Sequence, residues 1–374
     1  MHAEVTVVGA GVVGSATALT LARRGVSVVV LEAENEPGLA ASGTNSGILH
    51  TGFDSVPGEL ETELILRSAA LRDPVLRALR VPVLRCGARV RARDPSRDVV
   101  GALAANAERN GVEVLFRKDG ALKIPGEAVT DPVAYTLALT RAAGRHGAEL
   151  RTGFRVSAMR RDQGGLVLES AAGESVRSRL VVNCAGLHAD TVARLAGDHS
   201  FHVYPRKGEF LVFDPPRGEM LDRILLPEPT ERTKGVLVFP TVDGKVIAGP
   251  TAVDQDDKHD WSVRPTARQE IHPQAASMWP PLESSEPITA YAGLRPAGRG
   301  VNYLIAPSRA CPELVNVAAI RSTGLTASLA IAEYVSVLVA RLGVALRAER
   351  PLEPGAPPRS PVPWWRRAAE YHAR

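Results

Sequence analysis

Within its first 32 residues the chain carries a pattern that leaves few folds open. Glu4-Val5-Thr6-Val7-Val8 reads as a buried parallel strand, residues 15–24 as a helix, and residues 26–31 as a second strand, in βαβ order. Between the first strand and the helix stands Gly9-Ala10-Gly11-Val12-Val13-Gly14. Gly9 suits a tight turn, Gly11 lets the backbone approach a pyrophosphate, and Gly14 lets helix and strand pack closely. The helix N-terminus, Val13 included, offers free N–H groups and a partial positive charge to an anion. Glu32, 21 residues beyond Gly11, closes the second strand where a carboxylate accepts hydrogen bonds from ribose hydroxyls and disfavours a 2′-phosphate. A glycine-rich turn without a ligand is the competing reading, and the ordered strand, helix, strand and acid weigh against it.

NAD and FAD share this fingerprint. Its start at residue 3 favours FAD, because flavoproteins often begin with this unit and return to it from the far end of the chain. A candidate return is present: Leu314-Val315-Asn316-Val317-Ala318-Ala319 is an apolar strand, residues 320–328 form a glycine-bearing turn, and residues 329–341 read as a helix. Such a turn can donate N–H bonds to the anionic edge of a reduced flavin. It equally suits an ordinary strand-to-helix connection.

At 374 residues, 45% hydrophobic and 23% charged, the chain has the length for two cores and the balance of a soluble globular protein. Its apolar runs read as too short to cross a bilayer, and no signal peptide precedes the first strand, so a cytoplasmic location is expected. Cys86, Cys184 and Cys311 are far apart and lack CxxC spacing, which predicts no disulfide framework and no metal site. The net charge of +4 is spread along the chain without aromatic interleaving, so no nucleic-acid partner is expected.

The expected fold class is α/β: a Rossmann-like nucleotide-binding domain assembled from residues 1–78, 128–204 and 296–350, with an inserted antiparallel-sheet substrate domain from 79–127 and 205–295. In the first, residues 131–146 read as a helix capped by Thr130 or Asp131 with Pro132 at its first position. A hairpin around Gln163-Gly164-Gly165 leads to the strand 180–186, whose small-residue end at Gly186 suits close contact with a dinucleotide. In the second, residues 209–213, 235–240 and 245–250 read as short strands, and 79–127 adds an edge strand and a helix at 99–110. His188 and Asp190 read as caps of the following helix, residues 254–260 as a solvated loop, and Arg206-Lys207 as either a charged strand start or part of the pocket. The tail from 351 is proline-rich and ends in Trp364-Trp365-Arg366-Arg367. Packing back on the body is expected for it; two tryptophans beside two arginines also suit peripheral contact with a membrane surface.

Four stretches carry a resemblance: Asn45-Ser46-Gly47-Ile48-Leu49-His50-Thr51-Gly52, the segment from Lys234-Gly235 to Gly249-Pro250-Thr251-Ala252, Gly293-Leu294-Arg295-Pro296, and Ser322-Thr323-Gly324-Leu325-Thr326-Ala327-Ser328. Together they resemble FAD-dependent oxidoreductases of the D-amino acid oxidase superfamily, within it the short glycerol-3-phosphate oxidase or dehydrogenase type. The resemblance implies FAD as cofactor, a small anionic substrate, and oxygen or a quinone as electron acceptor. It implies oxidation of sn-glycerol 3-phosphate to dihydroxyacetone phosphate by hydride transfer to flavin N5, with His50 taking the C2 hydroxyl proton and Lys234, Arg295 and Ser322 holding the substrate. Ser42, Asn45 and Ser46 match the loop that passes the flavin. Val156, Gly186, Arg321, Gly324, Leu325 and Thr326 join the fingerprint residues as cofactor contacts.

Elementary chemistry agrees with the assignment of roles. Oxidising a secondary alcohol needs a base for the hydroxyl proton, which a histidine supplies; Lys234 and Arg295 nearby would keep that histidine neutral, and a phosphate or carboxylate calls for cations. L-2-hydroxyglutarate dehydrogenase is the near alternative, followed by an amino acid or amine oxidase and by a flavin-binding protein without turnover. One departure from the resemblance stands between Phe116 and Pro125, where this chain is shorter than its relatives, in the region that shapes the pocket.

Overall fold

The computed structural model describes residues 2–91, 98–228, 235–358, 360 and 362–371. The strand His2–Val8 lies at the centre of an eight-stranded sheet, between Val28–Leu31 and Ser175–Asn183, parallel to both. The strand Glu149–Arg151 extends the parallel array beyond Val28–Leu31. Along its far side, Ser175–Asn183 changes partners: residues 175–178 pair with the antiparallel hairpin of Val156–Asp162 and Gly165–Ser170, and residues 181–183 pair with Leu314–Ala318. The C-terminal strand thus returns to the N-terminal unit in parallel, and the apolar character of the central strands Val28–Leu31 and Leu314–Ala318 and of residues 180–182 follows from burial on both faces.

Helices Val12–Arg23, Pro132–Arg145 and Gly324–Arg341 cover one face of this sheet and share its largest core. Pro132–Arg145 begins as its sequence predicts: Pro132 sits in the first turn and the Asp131 carboxylate accepts from Ala134 N at 2.8 Å. Gly324–Arg341 starts five residues before the predicted helix, on the glycine of the turn. Contrary to the expectation from apolar run length, it is long and apolar enough to cross a membrane, yet it is mostly buried in the core. The helix Leu60–Ala78, packed against it, was not anticipated; Pro74 within it and a polar outer face blur the helical pattern.

The second sheet has nine strands, with Val203–Phe213 flanked by Val246–Gly249, Val253–Asp254 and Pro287–Gly298. It is antiparallel except where Ile224–Leu226 runs parallel to Ala88–Val90. Residues 79–127 contribute Ala88–Val90, Leu115–Phe116 and Leu122–Ile124 to it, more than the one edge strand expected, and the helix Val99–Arg109. The shortened stretch after Phe116 closes the hairpin between the last two strands. The helix Ala267–Met278, also unanticipated and interrupted by Pro273, packs on this sheet.

A third, small sheet joins Ile48–Leu49 to Ala128–Thr130 and Ala128–Thr130 to Val83–Leu84. Its register is Ile48 opposite Val129 and Leu49 opposite Ala128, so His50 comes opposite Glu127.

Residues 351–358 of the tail form no helix or strand, and a helix follows the proline-rich stretch. Residues Trp364–Tyr371 form a helix whose tryptophans are 1% and 7% exposed. Trp364 meets Tyr291 edge-on, and Trp365 Nε1 donates to Asp243 at 2.8 Å. The tail packs back on the body, and the proposed membrane contact through these tryptophans is corrected: their apolar surface is already spent inside the protein.

Candidate active site

Two cavities meet where the sheets face each other. One, of about 310 Å³, runs over the carboxyl ends of the parallel strands; the other, of about 500 Å³, lies against the second sheet. Asn45 and Arg321 line both.

The first cavity is bordered by Gly9, Gly11, Val13 and Gly14, by Glu32, by Ser42, and by Val156, Gly186, Gly324 and Leu325. Its glycines are required by contact. Gly9 has φ +101°, and a Cβ there would stand 2.5 Å from Cys184 O; a Cβ on Gly14 would stand 1.9 Å from Gly9 O. Strand and helix are therefore as close as main chain allows, which leaves the start of helix Val12–Arg23 open to the cavity. The helix has no side-chain cap of its own at Gly11; instead Val12 N donates to Ser42 Oγ at 2.9 Å. The Glu32 carboxylate accepts from Ala10 N at 2.7 Å and Glu34 N at 2.9 Å. Burial pushes its pKa up, against the pull of those two N–H groups. This cradle fits a dinucleotide.

Two predicted cofactor residues stand elsewhere. Ser46 lines only the second cavity, where its Oγ accepts from Ile48 N. Thr326 borders neither cavity: its hydroxyl is buried, accepts from His50 N at 3.0 Å and contacts Ile48 O. A threonine in a helix's first turn reads equally as ligand contact or packing, and only the fold decides.

The second cavity collects His50, Arg295 and Ser322. Lys234, the remaining predicted substrate residue, lies outside the described residues. His50 follows the short strand Ile48–Leu49, and its Nδ1 is 3.1 Å from Glu127 Oε2. Glu127 is fully buried, and its Oε1 accepts from Thr51 N at 2.6 Å and Thr51 Oγ1 at 2.9 Å. Arg72 donates to His50 O at 2.7 Å and Gly126 O at 2.9 Å. His50 Nε2 has no hydrogen-bond partner among the described residues. The sequence reading missed Glu127 and Arg72; the signal available was Glu127 next to the apolar run Ala128-Val129-Thr130.

Arg295 lies on Pro287–Gly298, directly across from Arg206. Its guanidinium passes over Gly208, where a Cβ would stand 2.0 Å from its Nη2, so this position has room for no side chain. It donates to Thr251 O at 2.7 Å, and among the described residues no carboxylate pairs with it. Burial, reinforced by Arg206, pushes its pKa down to about 10, which leaves it a cation at neutral pH. Arg206 also lines the cavity, but Asp254 neutralises it through bonds of 2.6 and 2.9 Å. Its neighbour Lys207 is buried and paired with Asp260 at 2.7 Å.

Residues 254–260 are solvent-exposed or half-buried, as the sequence suggests, but they are tied down: Asp254, Lys258 and Asp260 each pair with a side chain of the body. Asp190 is buried and accepts from Thr191 N in the first turn of the helix Ala189–Leu195 as well as from Lys258 and Val203 N, whereas His188 makes no side-chain cap. Burial, with Lys258 and His259 beside it, pushes His188 down to about 4, so it is neutral at pH 7.

Comparison with known proteins identifies the family. Residues 4–338 match the FAD dependent oxidoreductase family, DAO. The chain is 29% identical to a glycerol 3-phosphate dehydrogenase of Caloramator mitchellensis, over 89% of this chain and 72% of the relative. It is 27% identical to the glycerol 3-phosphate oxidase of Mycoplasma pneumoniae, over 88% and 92%, and 27% identical to the mitochondrial L-2-hydroxyglutarate dehydrogenase of Nematostella vectensis, over 67% and 62%. In fold it is similar to the dithionite-reduced L-alpha-glycerophosphate oxidase of Mycoplasma pneumoniae with FAD bound, at TM-score 0.88 and 24% identity over 95% and 98% of the two chains. With the glycine cradle in place to receive the cofactor, the chain belongs to the DAO family of FAD-dependent oxidoreductases.

Proposed function

We propose that the chain oxidises a small anionic 2-hydroxy compound, sn-glycerol 3-phosphate first among the candidates, to the corresponding ketone. The observation that carries this reading is Arg295: a guanidinium without a carboxylate partner among the described residues, in one cavity with the unengaged Nε2 of His50. A cation so placed calls for an anion, and arginine can hold two phosphate or carboxylate oxygens at once. His50 takes the hydroxyl proton at Nε2, and Ser322 adds a donor on the same wall. Bound FAD supplies the two-electron acceptor, and oxygen or a quinone is the second substrate. The relatives named glycerol 3-phosphate dehydrogenase and oxidase support this choice of substrate.

L-2-Hydroxyglutarate is the second reading. Arg321 lines the same cavity and offers a second cation to a distal carboxylate, with Asn302 and Glu61 as its present partners. Anaerobic stopped-flow mixing of the yellow protein with each compound separates them: fast loss of oxidised flavin absorbance with glycerol 3-phosphate is expected. Bleaching by hydroxyglutarate alone selects the second reading, and bleaching by neither overturns both. His50→Ala should keep FAD and slow the bleaching on the order of a hundredfold or more; an unchanged rate removes His50 from the reaction.

A further inference from the structure

We infer that Glu127 is the positioning residue for His50, fixing the tautomer that leaves Nε2 free to accept a proton. The inference rests on the proposed role of His50 as base. The register of the small sheet sets Glu127 opposite His50, and cross-strand neighbours of this kind are held at side-chain contact distance. Every hydrogen-bonding partner of its carboxylate is a donor: the main-chain N and hydroxyl of Thr51 take Oε1, so Oε2 is left for His50 Nδ1. A carboxylate in that setting accepts, so Nδ1 carries the hydrogen and Nε2 keeps its lone pair.

The surroundings make this pairing rigid. Arg72 ties His50 O to Gly126 O, fixing the main chain on both sides of the dyad, and Thr326 Oγ1 holds His50 N. Turning the ring over would break the Nδ1–Glu127 bond, and sliding along the strand would break the main-chain bonds as well. When Nε2 accepts a proton, the resulting imidazolium faces a carboxylate 3.1 Å away, which stabilises the charge just as it forms. A carboxylate that only anchored the loop would be satisfied by Thr51 alone; its second oxygen is on the imidazole.

Glu127→Gln tests this in the FAD-loaded enzyme. The Gln oxygen still accepts from Thr51, but its NH2 now faces Nδ1 and donates, which forces the hydrogen onto Nε2. The limiting rate of flavin reduction by glycerol 3-phosphate should fall on the order of a hundredfold or more, the scale of losing general-base catalysis, while substrate affinity and FAD content stay within a factor of about three. Glu127→Asp should recover part of the rate. In a His50→Ala background, Glu127→Gln should cost almost nothing further, since a residue that acts through His50 has nothing left to act on. A normal rate in Glu127→Gln, or an equal further loss on top of His50→Ala, overturns the positioning role. An unchanged rate in His50→Ala alone instead refutes the base assignment on which it stands.

Discussion

Where the FAD cavity meets the fingerprint, the chain presents mostly main chain: Gly9, Gly11 and Gly14, the open start of a helix, and a carboxylate anchored on backbone N–H groups. Across Asn45 and Arg321 the second cavity presents side chains instead, His50, Arg206, Arg295 and Ser322, drawn from four segments far apart in sequence. A cofactor site made of backbone tolerates any side chain that leaves the turn intact, and its constraints are steric. A substrate site made of side chains depends on which residues meet, and on what else neutralises them.

Breaking the backbone-built site should have the largest effect. Gly14→Ala places a methyl group 1.9 Å from Gly9 O, a clash that only separation of strand and helix relieves. The variant should be isolated without its yellow cofactor, as absorbance at the flavin bands will show; normal FAD content would mean the cradle is less tight than its contacts require.

The side-chain-built site should fail more selectively. Arg295→Met removes charge-assisted bonds worth about 1.5–3 kcal/mol, so KM should rise roughly tenfold to a hundredfold while FAD content holds. Arg295→Lys should not fully restore KM, because an ammonium cannot grip two oxygens at once. Steady-state kinetics on both variants, with flavin absorbance as control, check this; equal loss of FAD would erase the contrast between the cavities.

The smallest effect should be one that disappears in acid. Asp260, paired with buried Lys207 beside Arg206, has its carboxyl pushed down from 3.8 to about 2, first by the Lys207 hydrogen bond and then by Ser262. A depressed carboxyl contributes stability that is full above the unfolded value, near 3.8, and is lost as pH falls through about 2. Asp260→Asn should therefore lower Tm modestly at neutral pH, and the gap from the parent should close between pH 4 and pH 2. A gap independent of pH would show that the ion pair adds nothing to this wall.

The same contrast explains what was legible from residues alone. The glycines, Glu32 and Ser42 announce the cofactor cavity because a backbone site needs fixed residue types at short spacing. His50 and Arg295 were reached through motif resemblance, since neither residue by itself distinguishes a ligand from a satisfied core polar group. Glu127 was out of reach: it lies 77 positions from His50, beside two- and three-residue strands where no periodicity accumulates. Thr326 illustrates the complementary case, its hydroxyl being engaged by His50 N. The buried tryptophans of the tail show how partners, rather than composition, decide whether an apolar run meets lipid or core.

That tail also has a bearing on the rim of the first cavity. Arg367 binds Glu36 at 2.7 Å, on the loop that follows Glu32, and Tyr371 meets Trp261 edge-on at the border of the FAD cavity. The border of that cavity is thus shared by residues 331 positions apart, so detaching the helix Trp364–Tyr371 would open the rim while leaving the glycine cradle in place.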